Sequence, residues 1–287
     1  MRSDDPYAGA RLGALRGVTV VGPDLDVWAA AYRDHLDYRG GATTLVDEAQ
    51  AQAWRCPAAA GCRTATLRPA SGDATFIRFV ESTVGQPVEP LAMLGWSAAE
   101  IVVQDLDAVA TRIEESPFRV LAPPAVLDFE FTDRIRAMQV AGPAGEVLYL
   151  TEIDGVIPGF ELPHAHSLVD RVFVGVLATF ALERSAAWYA ELAGAAASPP
   201  MAARVAAISD ALGLDPETRY RLRTLALPHA SLMELDEFPA ASTKARPLAA
   251  CGLPAGIAML TFASDRHAVL NGPDGELVEL VAEGAAS

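Results

Sequence analysis

No stretch of about 18 apolar residues occurs in the chain, so no segment is long enough to cross a bilayer as a helix. The N-terminal "MRSDDPYAGARLG" also lacks the apolar core of a signal peptide, and a cytoplasmic protein is expected. Cysteine is scarce. Cys56, Cys62 and Cys251 fall at no metal-binding spacing, and their odd number argues against a disulfide framework, leaving three reduced thiols. Basic side chains are few beside acidic ones, 22 against 37, for a formal net charge of −15. That balance disfavours nucleic acid and anionic membrane as partners, because both need a basic face. What is plentiful is apolar: 51% of the 287 residues are hydrophobic and 21% charged, enough for a sizeable buried core.

The chain repeats itself. "GVTVVGPDLDVWAAAYRDHL" (Gly17–Leu36) reads as a strand, an Asp24 cap and a helix with an apolar stripe at Leu25, Trp28, Ala29, Tyr32 and Leu36. "AAEIVVQDLDAVATRIEE" (Ala98–Glu115) follows the same plan with Asp105 as cap, and "VDRVFVGVLATFALERSAAWYAELAG" (Val169–Gly194) follows it again. "GIAMLTFASD" (Gly256–Asp265) opens a fourth unit, but no helix follows. Strand-rich sequence succeeds each opening, and the third unit is expected to carry an extra helix over Met201–Leu214. "GPAGEVLYL" (Gly142–Leu150) and "GPDGELVEL" (Gly272–Leu280) write one turn and strand twice, with Tyr149 exchanged for Glu279. "DGVIPGFELPHAHS" has two prolines and no helical period. It is the candidate linker, set at 154–168, between halves 1–153 and 169–287 of two units each.

These openings, the Gly-Pro-x-Gly turns and the ending "LMELDEFP" (Leu232–Pro239) resemble the vicinal oxygen chelate superfamily from about Leu15 to Glu283. That superfamily includes glyoxalase I, extradiol dioxygenases and bleomycin-resistance proteins. The resemblance implies an α+β fold. Repeated βαβββ units pair into two tandem cup-shaped half-barrel domains, here with the fourth unit shortened.

In metal-using members of the family, a His on the first strand of a unit and a Glu on the last face into the cup. The His places here are Gly17, Ala98, Arg171 or Val174, and Gly256 or Ile257, so the usual His ligands to a divalent metal are absent. The Glu places hold Glu279 and Glu234 in the second half, but Tyr149 and Arg78 in the first. His267 is near the start of the strand before Glu279, and His229 precedes the strand bearing Glu234. A site of Glu279, Glu234 and one of these histidines, His267 foremost, is therefore chemically open to Fe or Zn. His164 and His166 lie in the linker and read as solvent-exposed.

The resemblance thus implies a small-molecule ligand. A carboxylate in an apolar cup can serve as a general base, which suits proton abstraction beside a carbonyl in lyase or isomerase chemistry. Glu279 and Glu234 are the catalytic candidates, expected to face one another across one cavity. Tyr149, Glu100, Arg78, Arg171 and His267 are candidates for substrate binding. The alternative is a non-catalytic binding protein of bleomycin-resistance type, which the missing His ligands and the acidic charge favour. A third reading is an interaction scaffold whose cups are filled. Ring cleavage is the weaker enzyme reading. The shortened fourth unit leaves one side of its sheet uncovered, to be covered by a partner or by the extra helix Met201–Leu214, and a homodimer is expected.

Overall fold

The computed structural model describes residues 11–129, 131–239 and 244–282. Glu283, where the family resemblance ends, and the ten N-terminal residues lie outside them. The first unit contains β1 (Leu15–Gly22), α1 (Leu25–Leu36), the short strands β2 (Arg39–Gly40) and β3 (Thr44–Leu45), α2 (Glu48–Ala53), β4 (Arg63–Arg68) and β5 (Phe76–Glu81). The second contains β6 (Gly95–Val103), α3 (Leu106–Glu114), β7 (Arg119–Val126), β8 (Ile135–Ala141) and β9 (Val147–Ile153). The third contains β10 (Val169–Thr179), α4 (Leu182–Ala193), β11 (Met201–Arg204), α5 (Ala206–Leu212), β12 (Arg219–Leu227) and β13 (Ser231–Glu237). Among the described residues the fourth contains β14 (Gly256–Ser264), β15 (Ala268–Asn271) and β16 (Leu277–Ala282) and no helix.

The expected caps form. Asp24 accepts from the Val27 amide at 3.0 Å and Asp105 from the Ala108 amide at 2.9 Å, each satisfying an orphan donor of the first turn. The apolar stripe of α1 is buried as the spacing requires. The extra helix is shorter than expected: Met201–Arg204 pairs with β12 as an edge strand, and only Ala206–Leu212 is helical. Tertiary pairing overrides local helix propensity there. The linker contains no helix or strand.

Within every unit the first strand lies parallel to the last: β1 on β5, β6 on β9, β10 on β13, β14 on β16. Among the described residues two eight-stranded sheets result. One runs β15-β16-β14-β1-β5-β4-β2, with β3 also on β4, and the other β11-β12-β13-β10-β6-β9-β8-β7. The antiparallel seams β1–β14 and β6–β10 join the first unit to the fourth and the second to the third. Each sheet therefore takes one unit from each half of the chain, and neither 1–153 nor 169–287 contains a whole sheet.

The convex faces and helices share the largest core, which includes Trp28, Tyr32, Trp96, Tyr189 and Phe262. At Gly175 the two sheets touch, and a Cβ there would lie 2.1 Å from Leu260 Cδ1. The twin turns are docked by helices of neighbouring units. Glu146 accepts from Trp28 Nε1 and Tyr32 Oη of α1, and Glu276 from Tyr189 Oη of α4. Arg184 of α4 also pairs with Asp274, so α4 lies over the turn of the helix-less fourth unit.

Candidate functional site

Strand register fixes which residues correspond. Thr19 lies beside Arg78, Glu100 beside Tyr149, Val176 beside Glu234 and Thr261 beside Glu279. The concave face of the first sheet thus carries Thr19, Arg78, Thr261 and Glu279. That of the second carries Glu100, Tyr149, Val176 and Glu234. Glu279 and Glu234 lie in different cups and do not face one another across one cavity.

The first cup is filled. Arg78 Nη2 lies 2.7 Å from Glu279 Oε2 and 2.7 Å from Thr19 Oγ1. Thr261 Oγ1 donates to Glu279 Oε2 at 2.5 Å, and Trp54 Nε1 donates to Oε1 at 2.6 Å. Trp54 follows α2, whose N-cap Asp47 accepts from the Gln50 amide at 2.7 Å. This helix, unforeseen from the sequence, lays Trp54 4.6 Å from the Arg78 guanidinium, with the Phe76 ring 5.4 Å from it. Burial pushes the Glu279 carboxyl up, but the Arg78 charge and the donated hydrogen bonds outweigh it and hold the group below the ordinary carboxylate value. The "DEAQAQAW" stretch was the available signal: a capping Asp before good helix formers.

The second cup is open. It encloses a cavity of about 490 Å³ with walls that include Phe173, Val174, Leu222 and Leu232. Phe131, 44% exposed, stands at its mouth between Phe129 and Phe160, each stacked on it with ring centroids 5.2 Å apart. Phe160 comes from the linker, so that segment is also a wall. Glu100, Tyr149 and Glu234 line the polar side. Thr151 Oγ1 donates to Glu100 Oε1 at 2.5 Å. That one bond does not offset burial: desolvation, then the nearby charge of Glu234, raise the Glu100 carboxyl to about 8. Desolvation likewise raises Glu234 to about 7. The Tyr149 hydroxyl is buried without a hydrogen-bond partner among the described residues. The matched Glu279 and Glu234 thus carry opposite shifts, because both are buried but only Glu279 has a guanidinium beside it to outweigh the loss of solvation.

The remaining candidates stand apart. Arg171 bonds Ser231 Oγ at 3.1 Å and lies 3.9 Å from Asp73, outside the residues lining the cavity. His267 and His229 are exposed at turns, as are His164 and His166 in the linker. His267 therefore joins neither glutamate. Arg204, at the cavity rim, is held by Asp128 and Glu217. Sequence reasoning passed over Asp236, buried two residues beyond Glu234; strand alternation in "MELDEF" was the signal for it.

The metal that this fold implies does not fit. Two residues before Thr19, Glu100, Val176 and Thr261 the register gives Gly17, Ala98, Val174 and, in place of the expected Gly256 or Ile257, Met259. None is a histidine or a carboxylate, and only the Met259 thioether, a soft ligand ill-suited to a hard divalent ion, could ligate at all. A Cβ at Gly17 would meet the Phe76 ring at 2.5 Å. Glu279 is already satisfied, and the described residues contain no group of three or more His, Cys, Asp or Glu arranged for an ion.

Compared with known proteins, no family model and no curated protein matches this sequence. Solved structures do match. Glyoxalase I from Zea mays superposes with a TM-score of 0.59 at 13% identity, over 96% of this chain and 92% of that one. Its V278E variant gives 0.60 at 14% identity, over 96% and 94%. A proposed dioxygenase from Bacillus subtilis subsp. subtilis str. 168 gives 0.62 at 11% identity, over 96% and 87%. These likenesses extend along nearly the whole chain and show the fold.

Proposed function

The chain has the fold of the vicinal oxygen chelate superfamily, and we propose that its second cup binds a small, largely apolar organic molecule and moves a proton on it, as a lyase or isomerase does. One observation carries this reading: Glu100 and Glu234, raised to about 8 and about 7, line the same apolar cavity beside the unpartnered Tyr149 hydroxyl. Near neutral pH one carboxyl can hold a proton while the other is ionised, the division of labour that acid–base catalysis needs. Glu234, the group of lower value, takes the proton from a substrate carbon. The electron pair of that C–H bond moves onto an adjacent carbonyl, whose oxygen the Tyr149 hydroxyl meets. Glu100 returns a proton to the substrate. The apolar walls keep water away and so sustain both shifts. The first cup is a structural element in this reading, with Glu279 committed to Arg78.

The test uses deuterium. Small carbonyl compounds that bind the ligand-free protein, found by ligand-observed NMR, are incubated with it in deuterium oxide. Wild type is expected to exchange the hydrogen beside the carbonyl, and Glu234→Gln to slow this by about 10²–10⁴-fold. A bound carbonyl compound whose acidic hydrogen never exchanges would sink the acid–base reading.

A second reading is favoured by the charge of the site. The one cationic side chain among the described residues lining the cavity, Arg204, is already paired. A binding protein for organic cations would use the same carboxylates without turnover. Tighter binding of an amine than of its neutral isostere, with no exchange or conversion, supports that reading over the first.

A further inference from the structure

Asp236 follows Glu234 by two residues on β13, so both side chains leave the same face of the strand. Its neighbours in register are Ala178 of β10 and Leu222 of β12, which offer no side-chain donor. The side chain is 1% exposed, and neither carboxyl oxygen has a hydrogen-bond partner among the described residues. The titratable groups facing it are Glu234 on its own strand, Tyr149 on β9 and Glu100 on β6. All are acids. The Tyr149 hydroxyl, itself unpartnered, does not donate to it.

An ionised carboxylate in that place would be a buried charge without a cation or a donor, among the costliest arrangements in a protein interior. Protonation removes the conflict. A neutral carboxyl is itself a donor, and the acceptor at hand is Glu234. Burial and then the Glu234 charge push the Asp236 carboxyl well above its ordinary value, and a bond donated by the neutral acid would favour the ionised form of Glu234.

We propose that Asp236 is a positioning residue that stays protonated and donates its hydrogen bond to the Glu234 carboxylate, aiming that group into the cavity and keeping it the ionised member of the pair. Its use in catalysis rests on the acid–base reading above, but the pairing does not depend on a substrate. Asp236 keeps its own proton when Glu234 takes one from the substrate, so the step needs no further reactant. Without the donor, Glu234 would hold its proton to higher pH and be a poorer base near neutrality.

The experiment uses the ligand-free full chain. Infrared spectra report protonated carboxyl groups, and carboxyl ¹³C NMR follows the titration of Glu234. At about pH 9, where acids shifted to 7 or 8 are mostly ionised, wild type is expected to keep one protonated carboxyl band that Asp236→Asn loses. Asp236→Asn retains an N–H donor and should leave the Glu234 titration nearly in place. Asp236→Leu should raise it by about one unit, a tenfold loss of ionised base at a given pH. A band that persists in Asp236→Asn, or a Glu234 titration unmoved in Asp236→Leu, would overturn the proposal. Circular dichroism checks folding. Should Asp236→Leu not fold, Glu234→Gln provides the second arm: a weaker acceptor should move the Asp236 band to higher frequency, and an unmoved band counts against the pairing. Because no substrate is present, these outcomes are independent of the deuterium-exchange result.

Discussion

The Arg78 guanidinium lies 2.7 Å from the Glu279 carboxylate, although 201 residues separate the two in the chain. The pair occupies matched places on the last strands of the first and fourth units, and both side chains are only 10% exposed. One cup is thereby closed by its own charges, while its counterpart, with no cation at the matched places, keeps a cavity and two carboxyls near neutrality.

Breaking that pair should be costly. Glu279→Ala leaves a buried guanidinium uncompensated and is expected to destabilise the protein by about 3–5 kcal/mol. Arg78→Leu combined with Glu279→Leu should recover much of this, since neither charge then remains buried. Urea unfolding of wild type and the two variants checks it. The Glu279 carboxyl is held below its unfolded value, so its contribution is present above the unfolded value and is lost as pH falls through the folded one. Wild type should therefore lose more stability than the double variant on acidification below about pH 4.

Glu100 works in the opposite sense. Its folded value, about 8, lies above its unfolded value, so its protonation stabilises the fold fully below the unfolded value and that contribution is lost as pH rises through about 8. Glu100→Gln should flatten the decline of stability between about pH 5 and 8 and be the more stable protein above it, by a few kcal/mol to order of magnitude. Denaturant midpoints measured across that pH range decide the matter; equal slopes for the two proteins would contradict the assignment.

Activity, once a substrate is found, should depend on pH as a narrow bell. The active form needs Glu234 ionised and Glu100 protonated, so the limbs of kcat/KM should fall near 7 and near 8 as values of the interacting pair. Thr151→Val removes a hydrogen bond that lowers the Glu100 value. The alkaline limb should then move upward.

The twin turns give a prediction about two glycines of one motif. A Cβ at Gly272 would lie 1.9 Å from Glu276 Oε1, whereas one at Gly275 meets nothing within 4 Å. Gly275 instead has a φ of +85°, a conformation that side chains resist. Gly275→Ala should cost about 1–2 kcal/mol through backbone strain alone. Gly272→Ala should cost more, about 1–3 kcal/mol from overpacking plus the displaced bond from Tyr189 to Glu276. Thermal unfolding would rank them.

Much of this architecture is legible from the chain. Asp24 and Asp105 mark helix starts because a short carboxylate before an apolar stripe satisfies the first amides. The Gly-Pro-x-Gly-Glu turns repeat visibly, but nothing local marks their constant Glu as the docking point for helix aromatics. From the sequence, the exchange of Tyr149 for Glu279 reads as the loss of a site in one half and its survival in the other. The structure reverses that contrast: Tyr149 borders the open cavity, and Glu279 is bound into the filled cup.

The sequence by itself determined the units, their caps, their turns and the absence of histidine from the family's ligand places, because each depends on residues a few positions apart. Only the tertiary structure decided which units share a sheet, and so which side chains share a cup. Strand pairing joins the first unit to the fourth, across most of the chain, and no local pattern encodes that partner. A carboxyl's ionisation depends on what stands within a few ångströms of it. Glu279 met Arg78, while Glu234 met Asp236 and Glu100.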